Sequence, residues 1–284
     1  RYEAQTANEA KGKFLAHMSH EIRTPINAVL GMDEMILRET KEQNIKEYAM
    51  DIYMAGQTLL SLINDILDFS KIESGKMEIV PVEYDISSLI HDLANMTSQR
   101  ADSKNIRFLV EVDNEIPSRL YGDDVRIRQV LTNILTNAVK YTHEGTVWLR
   151  VRWRKTGETA VLMFEVEDTG IGIKDEDLPK LFAEFERIEE DRNRNIEGSG
   201  LGMNITILLL SLLGSRLQVE STYGEGSKFY FELEQKIIDD TPISKQESSR
   251  WRKIIITRPG SVRRKRRYLL WMIMPSIAEC LRTC

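Results

Sequence analysis

Cysteine is nearly absent from this 284-residue chain. Both of its cysteines, Cys280 and Cys284, lie at the extreme C-terminus, so the body has no disulfide framework and fits a reducing compartment. Positive charge is not in excess either: 39 Lys and Arg against 44 Asp and Glu leave a net charge of -5, which excludes a nucleic-acid binder held by bulk charge. Long apolar runs are missing. Before residue 250 the longest candidate, Ile205 to Leu213, is broken by Thr206 and Ser211 and is too short to span a bilayer. No internal repeat is evident. The first residue is Arg rather than Met, which predicts that the chain begins inside a longer protein, with any membrane anchor upstream. What remains, 42% hydrophobic and 29% charged residues, is the composition of one or two soluble globular domains.

The N-terminal third is helical by its spacing. One long helix is predicted from Ala7 to about Thr40, with Leu15, Met18, Ile22, Ile26, Val29 and Ile36 forming a buried stripe. Pro25 has no N–H to give the carbonyl of Glu21, so a kink is expected there. A second helix from Asn44 to Ile72 carries Tyr48, Ile52, Ala55, Leu59, Leu62, Ile66 and Phe69 at three- and four-residue steps. Two such helices make too thin a core alone. Pairing of two hairpins into a four-helix bundle, hence a homodimer, is the economical solution.

His20 lies about 200° around the first helix from both Met18 and Ile22, at roughly 100° per residue, and so faces away from the seam. A lone outward histidine is usually a solvated surface residue, and His17 on the same face keeps that reading. His20 has different company: a carboxylate follows at Glu21 and a hydroxyl comes one turn on at Thr24. Its imidazole is mostly uncharged at neutral pH, because an unperturbed histidine titrates near about 6.5, so a ring nitrogen is free to act as a nucleophile.

Ser70 to Lys76 reads as the break between two domains. Strands are then predicted at Ile79 to Tyr84, Arg107 to Val112, Thr146 to Trp153, Ala160 to Asp168, Arg216 to Ser221 and Lys228 to Leu233. Helices are predicted at Ile86 to Ser103, Asp123 to Tyr141, Leu178 to Phe185 and Met203 to Leu213. Interleaved helices and strands over one sheet make a two-layer α/β sandwich, and the whole chain is α+β.

Three clusters in this second part carry chemistry. Asn133, Asn137 and Lys140 recur at four and three residues on one helix face, opposite Val130, Leu131, Ile134, Leu135 and Ala138. A solvated polar stripe would look the same. An Asn oxygen nevertheless suits Mg²⁺ that also holds phosphate oxygens and water, and a Lys supplies a point charge to phosphate. Asp168-Thr-Gly170-Ile-Gly172 ends an apolar strand, where glycines let backbone approach a flat ring and a carboxylate accepts from an exocyclic amine. Gly198-Ser-Gly200-Leu201-Gly202 opens a helix whose N-terminal N–H groups suit phosphate. Between these, Ile188 to Glu197 is too polar to pack and reads as a lid.

Residues 14 to 25, Phe-Leu-Ala-His-Met-Ser-His-Glu-Ile-Arg-Thr-Pro, resemble the phosphoacceptor box of sensor histidine kinases. Four more boxes of that family follow in order, and the resemblance spans residues 11 to 236. It implies that His20 is the phosphoacceptor, Glu21 accepts the proton of its other ring nitrogen, and Thr24 orients water in the reverse, phosphatase reaction. Asn-Ile-Leu-Thr-Asn-Ala-Val-Lys-Tyr-Thr is similar to the N box, making Asn137 the Mg²⁺ ligand, Lys140 a phosphate contact and Asn133 a further contact. Asp168 would read the adenine N6 amine and favour ATP over GTP, with Gly170 and Gly172 beside it. Gly198, Gly200, Leu201 and Gly202 resemble the second glycine box. Gly224-x-Gly226-Ser227 resembles the last, with Ser227 near adenine. Phe182 and Phe185 resemble the F box, a reading compatible with ordinary core aromatics.

The resemblance implies ATP-dependent autophosphorylation of His20 with Mg²⁺, then transfer to an aspartate of a response-regulator receiver domain. It also implies a cytoplasmic kinase core, joined to any membrane only through an upstream region that would hold the sensor. The rival classes are an ATPase of the related gyrase, chaperone and mismatch-repair group, which needs no exposed His on a dimer helix, and a degenerate kinase acting as an ATP-binding scaffold.

The expected organisation is a dimerisation and phosphotransfer hairpin at 1–72, an ATP-binding domain at 77–236, a linker at 237–260 and a disordered tail at 261–284. Arg263 to Arg267 followed by Tyr268 to Met274 could sit on an anionic membrane surface. A reading-frame slip accounts for it better. Shifted by one base, the codons of Leu270 to Ala278 permit Val-Asp-Asp-Asn-Ala-Ile-Asn-Arg, which resembles the first strand of a receiver domain with its acidic pair. The tail would then be an out-of-frame remnant of a hybrid kinase's receiver. Codons incompatible with Val-Asp-Asp-Asn in the DNA would end that idea.

Overall fold

The computed structural model describes residues 2–182 and 201–243. Helices α1 (Tyr2–Glu39) and α2 (Gln43–Glu73) form an antiparallel hairpin joined by three residues. α1 runs through Pro25 without a break, so the missing N–H is tolerated inside one continuous helix. Leu30 lies against Gly56, where a Cβ would come within 2.6 Å of its side chain, and Arg23 donates to Asn64 at 3.0 Å.

The expected buried stripe is not what closes the hairpin. Ser19, Leu30 and Asp33 of α1 and Ala49 and Ile63 of α2 are buried, while Ile22, Val29, Ile36, Tyr48, Ile52, Leu59 and Ile66 remain exposed in the single chain. Two helices can cover only one strip of each other, so a wider apolar band has no layer to meet within one chain. Asp33 is 2% exposed and neither of its carboxylate oxygens has a hydrogen-bond partner among the described residues. A buried carboxylate whose oxygens lack hydrogen-bond partners carries an uncompensated desolvation cost of about 1–3 kcal/mol, which an apolar side chain avoids. Asp33→Leu is therefore expected to raise the melting temperature in calorimetry.

Past Gly75 the chain builds β1 (Val82–Asp85), α3 (Ile86–Ser103), β2 (Arg107–Val112), β3 (Pro117–Gly122), α4 (Asp124–Tyr141), β4 (Thr146–Thr156) and β5 (Thr159–Asp168). A 3₁₀ turn (Leu178–Phe182), α5 (Leu201–Leu212), β6 (Gln218–Thr222) and β7 (Gly226–Pro242) complete it. The sheet order is β1-β3-β7-β5-β4-β2, with β6 pairing β7; every pairing is antiparallel except β2 with β4. One face takes the helices. Val147, Leu149 and Val151 of β4, Phe164 of β5 and Phe231 and Leu233 of β7 are buried with Ile90 and Leu93 of α3, Leu131 and Ile134 of α4 and Leu209 of α5. The other face is polar, with Arg150 among Glu111, Glu165 and Glu167. This is the expected two-layer sandwich, and the chain as a whole is α+β.

Local chemistry starts the helices. The carboxylate of Asp85 accepts from the Ser88 N–H at 2.7 Å, and that of Asp123 from the Arg126 N–H at 3.0 Å, so both are N-caps. Asp123 is thus the cap of α4 rather than its first residue. The second oxygen of Asp123 accepts from the Val80 N–H at 2.9 Å, tying the interdomain segment to α4.

The largest corrections lie at the sheet edge. β1 is only Val82–Asp85, and β3 was not predicted, since Pro117 and the polar Ser118 and Arg119 carry little strand pattern. β7 runs to Pro242 rather than Leu233, because Ile237, Asp239 and Pro242 pair with β3. Residues 237–242, expected in the linker, therefore belong to the sheet, and Ile243 is buried against it with its N–H on the Ile116 carbonyl at 2.9 Å. Long-range pairing decides these spans. The expected helix at Leu178 is a short 3₁₀ turn as far as Phe182. Phe185, the Ile188–Glu197 lid, Gly198, Gly200, the rest of the linker and the tail lie outside the described residues, as do the side chains of Phe182, His17 and His20.

The two domains touch. Asp68 near the end of α2 accepts from Gln129 of α4 at 2.7 Å and lies 3.8 Å from Arg126, while Phe69 joins the core of the α/β domain.

Candidate nucleotide site and phosphoacceptor helix

The polar face of α4 is built as its spacing demands. Val130, Leu131, Ile134, Leu135 and Ala138 are buried against the sheet, which leaves Asn133, Asn137 and Lys140 half-buried on the other side. Asn133 donates to the Thr206 hydroxyl at 2.7 Å, and a Cβ on Gly202 would lie 2.5 Å from its oxygen. The first turn of α5 is thereby held against α4, which brings Leu201 and Gly202 to the polar face. The Lys140 ammonium sits 5.0 Å over the Tyr141 ring.

Asp168 ends β5 between β4 and β7, opposite Val147 and Ser227. Its carboxylate is 6% exposed and accepts from the Gly170 N–H at 2.8 Å. Burial pushes its pKa up to about 6, against the opposing pull of the Gly170 and Ser227 backbone N–H groups. The turn beyond it is anchored at several points. Ile171 N–H donates to the Tyr141 carbonyl at 3.2 Å, which fastens the turn to the end of α4, and Gly224 N–H donates to the Ile171 carbonyl at 2.8 Å.

Gly172 has φ +65°, and a Cβ there would lie 2.0 Å from the Thr222 carbonyl oxygen; at Gly226, φ is +133° and a Cβ would lie 1.9 Å from the Asp168 carbonyl oxygen. No L side chain fits either place. Ser227 is buried and its hydroxyl is 3.0 Å from that of Ser221. Ser221 accepts from the Ile173 N–H at 2.8 Å and donates to the Gly226 carbonyl at 2.9 Å. With its single proton so used, Ser221 accepts from Ser227, which leaves Ser227 lone pairs as acceptors. A cleft of about 310 Å³ runs along the turn, lined by His143, Glu144, Thr169, Gly170, Ile171, Tyr223 and Gly224.

The structure thus places Asn133, Asn137 and Lys140 along the C-terminal half of α4, Leu201 and Gly202 at the start of α5 against Asn133, and Asp168, Gly170, Gly172 and Ser227 about the turn fastened to the Tyr141 carbonyl at the end of α4. Thr206 and Ser221 went unnoticed in the sequence. Thr206 sits in an apolar helix where it read as an interruption, and Ser221 in a strand end with no motif of its own. Among the described residues no three His, Cys, Asp or Glu side chains cluster to hold a metal. A single Asn oxygen on α4 fits Mg²⁺ held chiefly by phosphate oxygens and water. His20, Glu21 and Thr24 lie on α1, with Glu21 and Thr24 exposed. No described helix is long and apolar enough to cross a membrane.

Comparison with known proteins agrees with this partition. Residues 10–75 match the model of the His Kinase A (phospho-acceptor) domain, and residues 122–237 match that of the histidine kinase-, DNA gyrase B- and HSP90-like ATPases. Hybrid signal transduction histidine kinase B of Dictyostelium discoideum is 40% identical over 231 residues, 81% of this chain and 12% of that protein. Circadian input-output histidine kinase CikA of Synechococcus elongatus is 42% identical over 233 residues, 80% of this chain and 30% of that protein. Sensor protein GacS of Pseudomonas syringae is 38% identical over 82% of this chain and 26% of its own length. The chain therefore spans about a third or less of the curated relatives it matches. Among solved structures, that of full-length ShkA in complex with AMPPNP has a TM-score of 0.65 and 31% identity, covering 80% of this chain and 46% of that one. A phospho-acceptor hairpin followed by an ATPase domain, matched in that order by both models and by these kinases, makes the chain a member of the sensor histidine kinase family, of which it carries the catalytic core.

Proposed function

We propose that this core binds ATP on the polar face of α4, phosphorylates His20, and passes the phosphoryl group to an aspartate of a receiver domain. The observation that carries the reading is the convergence of a buried carboxylate, a lysine and a helix start on one site, in a chain whose α1 also carries His20. Asp168 accepts from the adenine N6 amine, with Ser227 beside it. The glycines admit the ring, and the N-terminal turn of α5 with Lys140 meets the phosphates. Asn137 would hold Mg²⁺ beside the phosphate oxygens, and the ion when bound would supply charge neutralisation for the transferring group. A ring nitrogen of His20 attacks the γ-phosphorus, the bond to the β,γ-bridging oxygen breaks, and ADP leaves. Glu21 takes the proton of the other ring nitrogen, and Thr24 orients the water that attacks the receiver's aspartyl phosphate in the phosphatase reaction, releasing inorganic phosphate and the free aspartate. The exposed apolar band of the hairpin supports a homodimer in which two hairpins pair as a four-helix bundle, and we place this core in the cytoplasm.

The test is incubation with γ-labelled ATP and Mg²⁺, followed by acid and alkali treatment. An acid-labile, alkali-stable label is expected, and it should be absent in His20→Gln. Label persisting in that variant overturns the assignment of His20.

A further inference from the structure

The last turn of an α-helix leaves four carbonyls without intrahelical donors, and α4 spends that turn on the site. The Ala138 carbonyl accepts from the Thr142 N–H at 3.2 Å and the Thr142 hydroxyl at 2.7 Å, and the Tyr141 carbonyl accepts from Ile171 N–H. The two between them are met from another element. Lys104, at the C-cap of α3, donates through its ammonium to the carbonyl of Val139 at 3.1 Å and to that of Lys140 at 2.9 Å. Four residues before Lys104, Arg100 donates to the Thr136 hydroxyl at 2.5 Å. α3 therefore grips the half of α4 that bears Asn137 and Lys140. A cation there also meets the negative end of the α4 dipole.

We propose that Lys104 is a positioning residue for phosphate binding: by holding the carbonyls of Val139 and Lys140 it fixes the backbone from which the Lys140 ammonium reaches the nucleotide. The inference rests on the nucleotide reading above and adds to it a residue outside every motif that carries that reading. Its geometry makes the effect selective. The Asp168–Gly172 turn hangs on the Tyr141 carbonyl, a separate anchor, so loss of Lys104 loosens the phosphate side and leaves the adenine side in place.

Calorimetric binding of Mg²⁺-AMPPNP and of adenosine to the whole chain tests this in Lys104→Met, Lys104→Arg, Lys140→Ala and the Lys104→Met/Lys140→Ala double variant. Lys104→Met is expected to weaken AMPPNP about five- to tenfold, the scale of one charged contact at a helix end, with adenosine changed less than about twofold. Lys104→Arg should restore most of the loss. In the Lys140→Ala background Lys104→Met should cost nothing further, because the two act through one contact. An equal loss for both ligands, or the same loss again in the double variant, overturns the proposal by reducing Lys104 to a general support of the fold. Should Lys104→Met fail to fold, as judged by circular dichroism, Lys104→Gln, which keeps one donor, takes its place. The two readings fail separately: undiminished AMPPNP binding in Lys140→Ala removes the phosphate contact beneath both, whereas loss there with none in Lys104→Met overturns the role of Lys104 alone.

Discussion

Asp168→Asn is expected to make the protein more stable and a poorer nucleotide binder at once. The carboxylate is buried with a pKa of about 6, against 3.8 for a free side chain. Its folded pKa is raised, so the folded state binds the proton more tightly than the unfolded state does. Stability carried by this group is fully present below about pH 4 and is lost as pH rises toward and through 6, a cost of about 3 kcal/mol for a shift of about two units. Asparagine does not titrate. The stability of the variant relative to the wild type should therefore grow by about 1–2 kcal/mol between pH 5 and pH 8 in denaturant titrations; a constant difference would show that the carboxylate is not strained. In the same variant ATP affinity should fall about 10- to 100-fold, the worth of a hydrogen bond to a charged acceptor. Discrimination against GTP should narrow, since an amide N–H₂ can donate to a guanine carbonyl. Wild-type affinity, compared with the variant to cancel the titration of the nucleotide itself, should decline as pH falls through about 6, where Asp168 takes up its proton.

Gly226→Ala is the second change with a large expected effect. Its Cβ would stand 1.9 Å from the Asp168 carbonyl oxygen, and its φ of +133° lies where L residues are strained. Either β7 withdraws from β5 beside Asp168 or the turn opens. A loss of at least about 3 kcal/mol in stability, from strain and clash together, and of nucleotide binding is expected. Gly224→Ala is the control. At φ +88° it is strained too, but a Cβ there meets nothing within 4 Å, so its loss should stay near 1–2 kcal/mol. Equal damage from both, in parallel denaturation and binding measurements, would mean that strain alone and not the approach to Asp168 matters.

These effects trace back to residues with different legibility. The start of α3, and that of α4 to within one residue, followed from apolar spacing, and the structure adds that Asp85 and Asp123 cap them through bonds three residues long. The polar face of α4 followed from the period of 3.6, and the Asp168–Gly172 turn from its glycines. Burial of the apolar band on the hairpin did not follow, because periodicity marks a face as apolar without saying which chain covers it. The edge of the sheet was illegible for a related reason. β3 carries Pro117 and little alternation, and the last residues of β7 are acidic, so only pairing with each other makes both of them strands.

By itself the sequence determined that the stretches of α1 to α5 are helical and that His20 stands on a helix, for these are set by contacts within a few residues or by spacing, and it supplied the motifs on which the nucleotide reading is proposed. Only the tertiary structure decided that Asp168 is buried enough to hold its proton to about pH 6, that Asn133 spends its amide on Thr206, and that Lys104 grips α4 from 35 and 36 residues away. Burial and long-range hydrogen bonds depend on which elements pack together, and no local pattern of residues encodes that neighbourhood.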